Sequence, residues 1–413
     1  MQDTTLYQHL LGLREPWTVA RVDLDVPTQR VDVWAEHPKG VPWPCPECGT
    51  LATLHDHAAE RVWRHLDSCQ FQTLLHAEPP RVNCPEHGVR QVRLCWAEPH
   101  ARFTMLFEAF AIRVLQETSI EAARKILAIS WDEAWYLMQR AVARGMARKK
   151  PRLIPYLGVD EKSAGRGQTN YVTVVCDLVE GTVEEVTEGR EKRSLLDYLS
   201  TLTREQRQAV AAVAMDMCDA YIYAVKDGLP DGQDKIVFDR FHVMQHMGEA
   251  VDSVRRQEHR ILSEQGQGSS PLAGTRYVWL YSRENLPSRY WEDFYALKDT
   301  DLKTARAWAI KENLRRLWNY KTLRWAEPFW KRWYFWATHC RLAPVRKVAK
   351  TIKDHLYGIL SYFAHPITNA MSEGINSKIE TLWKTACGYR NKQRFRTAIL
   401  FHLGGLDLAP STH

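Results

Sequence analysis

Hydrophobic positions recur along this chain with two periods, and the changes of period divide it. Arg61 to Leu66 and Gln72 to Ala77 are short runs that read as strands of a small β-rich module. Beyond residue 117 the period becomes helical. Thr118-Ser119-Ile120-Glu121 and Ser130-Trp131-Asp132-Glu133 both carry the capping-box pattern and predict two helix starts. Ala122, Ala123, Ile126 and Leu127 form the inner stripe of the first helix, and Ala134, Leu137, Met138 and Val142 that of the second. Small residues at 122 and 123 permit the close crossing of a helix-turn-helix, with a plain helical hairpin as the alternative. After Pro155 the runs shorten again. Tyr156–Asp160, Tyr171–Cys176 and Thr182–Thr187 predict three strands, and Arg193–Leu202 a helix with Leu195, Leu196, Leu199 and Leu202 on one stripe. The buried run Ala209–Met215, a helix around Ala220–Lys226 and the strand Lys235–Phe238 follow. From His242 to Thr368 the pattern is mostly helical, broken by a Gly- and Ser-rich loop at Gln265 to Gly274. Near the end, Met371, Ile375, Ile379 and Leu382 share one helical face while Glu373, Asn376 and Glu380 share the polar one.

Three strands, helix, strand, helix, strand is the order of an RNase H-like core. The expected fold is therefore multidomain α+β: a β-rich zinc-binding module over 1–100, a helix-turn-helix over 101–150, and an RNase H-like α/β core. That core begins at 151–246, is interrupted by a helical insertion at 247–365, and resumes over 366–413 with the C-terminal tail. A chain of 413 residues exceeds one ordinary core. Its 45% hydrophobic and 25% charged residues exclude a disordered chain. No window approaches the length of a membrane span, and Met1 to Trp17 lacks the pattern of a signal peptide. Nine cysteines in that setting point to reduced thiols in the cytoplasm, where paired Cys more often means metal than disulfide.

Two turns carry such a metal set. Cys45-Pro46-Glu47-Cys48-Gly49 and Cys84-Pro85-Glu86-His87-Gly88 offer three thiolates and one imidazole to a single structural Zn²⁺. Cys69, Cys95, His55 and His57 are reserve ligands. In the expected core, the ends of the first and fourth strands lie side by side, so Asp160 and Asp216 face each other. Adjacent carboxylates repel, and hard, oxygen-preferring Mg²⁺ (or Mn²⁺) relieves the conflict. Two such ions about 3.5–4 Å apart form a phosphoryl-transfer centre. Glu373 on the late helix supplies a third acid, with Asn376 beside it, and Asp239 and His242 at the fifth strand's end are supporting candidates. Gly374 inside that helix suggests that something approaches the backbone there.

The net charge is +7, and its distribution matters more than its size. Arg140, Arg144, Arg148, Lys149 and Lys150 extend the second helix of the hairpin and would neutralise phosphates along a groove. Sixteen tryptophans crowd toward the C-terminal half, where they interleave with Arg324, Lys331 and Arg332. That segment reads either as a DNA-holding surface or as a helical subdomain packed by aromatics. Arg390, Lys392 and Arg394 complete the basic inventory.

Taken together, Cys45-Pro-Glu-Cys48-Gly, Cys84-Pro-Glu-His87, Gly158-Val-Asp160-Glu-Lys, Met215-Asp216-Met217, Phe238-Asp239-Arg-Phe-His242 and Ser372-Glu373-Gly-Ile-Asn376-Ser-Lys resemble the ISL-three group of insertion-sequence transposases. The resemblance covers nearly the whole chain. It implies a DDE transposase with Asp160, Asp216 and Glu373 as metal ligands, acting on the terminal inverted repeats and target sites of double-stranded DNA as a homodimer or larger assembly. His87 departs from an all-cysteine finger but remains a competent zinc ligand. A DNA-binding regulator that never cuts, and a nuclease that cuts without joining, are the rival readings.

Overall fold

The computed structural model describes residues 3–165, 170–265, 270–367, 370–389 and 391–411. The chain divides into two compact units, Met1–Lys150 with Leu406–His413, and Pro151–Gly405.

In the first unit a four-stranded sheet runs in the order Thr18–Asp25, Arg30–Glu36, Gln72–Ala77, Arg61–Arg64. Strict alternation drives it: Val31, Val33 and Ala35 are buried while the residues between them face outward. Trp17, Trp43, Trp63 and Trp96 fill the space beneath, with Trp17 and Trp96 edge to face at 4.7 Å. A smaller sheet joins Leu54–His57, Pro80–Cys84 and Gly88–Gln91, and Trp43–Pro44 pairs with Leu51–Ala52.

Three helices follow: α1 (Met105–Glu117), α2 (Ile120–Leu127) and α3 (Trp131–Arg148). The capping box expected at Ser130 is complete, with Ser130 and Glu133 bonding each other's backbone. At the other start Thr118 closes α1, Ser119 takes the N-cap of α2, and Glu121 pairs instead with Arg124 and Lys125. Ala123 and Leu127 are buried as the stripe predicts, but Ile126 is 61% exposed. The segment after Leu406 returns to α3: a Cβ at Gly145 would stand 2.7 Å from that of Leu406.

The second unit holds a five-stranded sheet. Its strands are β1 (Tyr156–Ser163), β2 (Tyr171–Asp177), β3 (Thr182–Glu188), β4 (Ala212–Met215) and β5 (Ile236–Phe238), in the order β3-β2-β1-β4-β5. β1 is antiparallel to β2 and parallel to β4, which is parallel to β5. β4 and β5 are buried throughout, as parallel strands covered on both faces should be. Helices α4 (Lys192–Thr201), α5 (Arg204–Ala209) and α6 (Asp219–Gly228) connect them, α4 burying Leu195, Tyr198 and Leu199. α7 (Arg240–Gln265) then runs unbroken across residue 246, so the expected border between core and insertion lies inside one helix. Further helices between Arg276 and Leu360 pack around Trp279, Trp318, Trp330 and Trp333. α8 (Ala370–Thr385) and α9 (Lys392–Leu403) complete the unit. No helix among the described residues is long and apolar enough to cross a membrane.

Candidate active site and metal centre

The knuckle at Cys45 is folded by two backbone bonds, Cys45 N to Thr50 O and Gly49 N to Cys45 O. The strand pair Pro80–Cys84 and Gly88–Gln91 presents Cys84 and His87 from the other side. One ligand atom each from Cys45, Cys48, Cys84 and His87 falls within 4.8 Å of all the others. The individual separations are 3.7 Å for Cys48 Sγ to Cys84 Sγ, 3.7 Å for Cys84 Sγ to His87 Nδ1, and 3.9 Å for Cys45 Sγ to His87 Nδ1. A tetrahedral ion with Zn–S near 2.3 Å separates its sulfurs by about 3.8 Å. Hydrogen bonding with Thr50 holds the Cys48 thiol down to about 6, toward the thiolate a metal needs. Chemistry and spacing fit zinc, and Cys69, Cys95, His55 and His57 stand outside the group.

The carboxylates are positioned by strand register. Gly158 pairs with Ala214 and Met215 with Phe238, so Asp160, Asp216 and Asp239 follow one another across β1, β4 and β5 at the same edge. The bond from Asp239 N to Met215 O, 2.9 Å, carries the ladder to the third of them. Asp160 accepts from Glu161 N at 2.7 Å and from the side-chain amide of Asn376 on α8. That approach of α8 depends on Gly158, since a Cβ there would overlap Ser372 Oγ and lie 2.7 Å from Leu178 Cδ2. Lys162 fastens the same helix through Glu380 at 2.7 Å.

Burial pushes the Asp160 carboxyl above its ordinary range, and the neighbouring Asp216 adds to it while His242 opposes. Asp216 is raised for the same first reason, against His242 and His246. Glu161 is raised by burial, with Arg190 at 3.6 Å opposing. Asp216 Oδ1 has no hydrogen-bond partner among the described residues. An edge that crowds carboxylates and disfavours their charge suits divalent cations. Glu373 is one turn from Asn376 but stands exposed, and the Cys₃His set is the only described group of three or more metal-ligating side chains gathered within 4.8 Å. Nothing described comes within 4 Å of a Cβ placed on Gly374. Sequence pattern alone does not single out Glu161, Arg190 and His246. Adjacency to Asp160 marks the first, and the helical i+4 spacing from His242 marks the last.

The basic residues separate into two sets. Arg140 and Arg144 turn inward: both bond Glu98, at 2.7 and 2.9 Å, and Arg144 also bonds the buried Glu108. Arg148 binds Asp407 at 3.1 Å and the Ala409 carbonyl. In the structure these three guanidinium groups bond protein oxygens and so hold α3 in place. Lys149 and Lys150 follow at the helix end. Arg324, Lys331 and Arg332 are exposed on the helix Leu323–His339, beside Trp325 and Trp336 at the surface. Lys392 lies 3.9 Å from Glu188, Arg394 is exposed, and Arg390 lies outside the described residues.

Residues 157–399, the span of the carboxylate edge and the helices around it, match the ISL3 family model described as Transposase. The chain belongs to the ISL3 transposase family. Two further models of that family match in order: the zinc-finger of transposase IS204/IS1001/IS1096/IS1165 at residues 41–87, and the helix-turn-helix domain of transposase family ISL3 at 92–142. The zinc-finger match ends on His87, the fourth member of the cluster. Among curated proteins, the chain is similar to the transposase for insertion sequence element IS1001 of Bordetella parapertussis. The two are 27% identical over 354 residues, 85% of this chain and 86% of that protein. It is also similar to the transposase for insertion sequence element IS1557 of Mycobacterium tuberculosis (strain CDC 1551 / Oshkosh), 28% identical over 436 residues, 98% of this chain and 96% of that one.

Proposed function

We propose that this chain cuts DNA at the terminal inverted repeats of an insertion sequence and joins the freed end to a target, using Asp160, Asp216 and Glu373 as the acids of a DDE centre. The observation that carries this is the register of β1, β4 and β5, which seats Asp160 beside Asp216 at a buried edge where both carboxyls resist ionisation. The strand order β3-β2-β1-β4-β5 supports the RNase H-like reading of the core.

Asp160 and Asp216 would hold Mg²⁺ or Mn²⁺, and Glu373, on the exposed face of α8, would meet it as DNA arrives. Bound there, such ions activate a hydroxyl nucleophile and stabilise the leaving oxygen of a phosphodiester. The side-chain amide of Asn376 fixes the orientation of Asp160. His242 offsets part of the negative charge the two aspartates share. Recognition falls to the zinc module and the helix-turn-helix, with Lys149, Lys150, Arg324, Lys331, Arg332, Lys392 and Arg394 as phosphate contacts. A dimer is the smallest assembly that brings two element ends together.

The test is cleavage and strand transfer on DNA bearing the element's own ends, with Mg²⁺, comparing wild type with Glu373→Gln. Products that vanish in the variant while end binding persists support the proposal. Tight end binding without cutting by the wild type would replace it with the regulator reading.

A further inference from the structure

Two carboxylate oxygens at the sheet edge share an unusual property. Asp216 Oδ1 and Asp239 Oδ2 are both buried and both without a hydrogen-bond partner among the described residues. They belong to residues that the β4–β5 ladder places side by side, on strands separated by about 4.8 Å. Asp239 is 8% exposed, so its second oxygen is withdrawn from bulk water as well.

A capping role explains only half of this side chain. Asp239 Oδ1 accepts from Phe241 N at 3.1 Å and so closes the first turn of α7. Oδ2 takes no part in that cap. It points instead toward His242 Nε2, 3.9 Å away, the imidazole whose charge acts on both Asp160 and Asp216. Asp239 therefore faces the same space as the two aspartates already assigned. A buried carboxylate oxygen lacking any donor is costly unless a cation satisfies it, and two of them on adjacent strands can share one hard ion.

We propose that Asp239 is a divalent-cation ligand, its Oδ2 and Asp216 Oδ1 holding one Mg²⁺ or Mn²⁺ between them at the β4–β5 edge. The inference rests on reading this edge as a metal centre, and it adds a carboxylate outside the Asp160, Asp216, Glu373 set. Asp216 becomes the acid common to the β1 and β5 sides.

Mn²⁺ binding to the full-length, zinc-loaded protein, followed by the loss of the free-ion EPR signal, tests this without any DNA. Thiolates compete poorly for this hard ion, so the zinc module does not obscure the titration. Asp239→Asn should weaken the tightest Mn²⁺ binding tenfold or more. Asp239→Ser keeps a competent cap for α7 and should give the same loss, which separates ligation from helix capping and stands alone if the Asn variant folds poorly. Fe²⁺ with peroxide should nick the wild-type backbone near residues 216 and 239 and spare it in both variants. Wild-type Mn²⁺ affinity in Asp239→Ser overturns the proposal, even if the protein cuts DNA in a Glu373-dependent way. Mn²⁺ binding that depends on Asp239, in a protein that never cuts DNA, supports it while removing the DDE reading.

Discussion

Arg144→Met tests whether the basic residues of α3 serve the fold or the DNA. Arg144 is 8% exposed and bonds Glu98 at 2.9 Å, Glu108 at 1% exposure, and the Leu408 carbonyl. Removing the guanidinium leaves the buried Glu108 with Arg140, 3.9 Å away, as its one remaining basic partner among the described residues. Breaking one side of a buried ion pair costs about 3–5 kcal/mol, and the residual Arg140 contact places this case near the lower end. With roughly 2–4 °C of Tm per kcal/mol for a unit of this size, the first unit should melt roughly 6–12 °C lower. Scanning calorimetry on the full chain reads this directly, and Glu108→Gln in the Arg144→Met background should recover part of the loss. End-DNA binding measured against salt supplies the opposing readout. A phosphate-contacting arginine would lower the salt slope by about one when removed. Unchanged melting with a reduced slope would refute the inward assignment.

Four further outcomes are expected. Cys45→Ser, or a strong chelator, should unfold the zinc module while the second unit's calorimetric transition stays in place. Gly158→Ala should destabilise the second unit and depress strand cleavage more than end binding, because the added methyl drives Ser372 and α8 away from β1. Asp160 and Asp216 have carboxyls raised in the folded state, so their contribution to stability is complete below the unfolded value and lost as pH rises through the folded one. Asp216→Asn should accordingly raise the Tm of metal-free protein at pH 7 and flatten its decline with pH in thermal melts. Mg²⁺ at a hundred times its Kd should stabilise wild type by about 2.7 kcal/mol and Asp216→Asn by far less, as differential scanning fluorimetry would register.

Much of this arrangement is legible in the sequence. The two Cys-Pro turns declare their ligands because a knuckle is a local structure, and the five core strands follow from short apolar runs bounded by turns. What escapes is tertiary. Nothing near Arg140 or Arg144 announces Glu98 and Glu108, which lie 32 to 46 residues away in sequence. The periodicity does not predict α1, since Met105–Glu117 is apolar on too many sides for one stripe to stand out. At residue 246, the border expected between core and insertion, α7 continues without a break and takes Gly248 into its interior. Glu373 can be placed on the polar face of its helix from spacing alone. Its exposure, and the contact of Asn376 with Asp160, depend on how α8 docks on β1.

The return of the segment after Leu406 to α3 has a consequence for how the protein is made. Every strand and helix of the second unit is translated before that segment exists. The surface of α3 around Gly145 and Arg148 stays uncovered throughout that interval, and the first unit is finished only after the second has been synthesised in full. A fusion attached behind His413 would weigh on the same seam, and its effect would be felt at the helix-turn-helix, some 260 positions before the Arg148 partners Ala409 and Ser411.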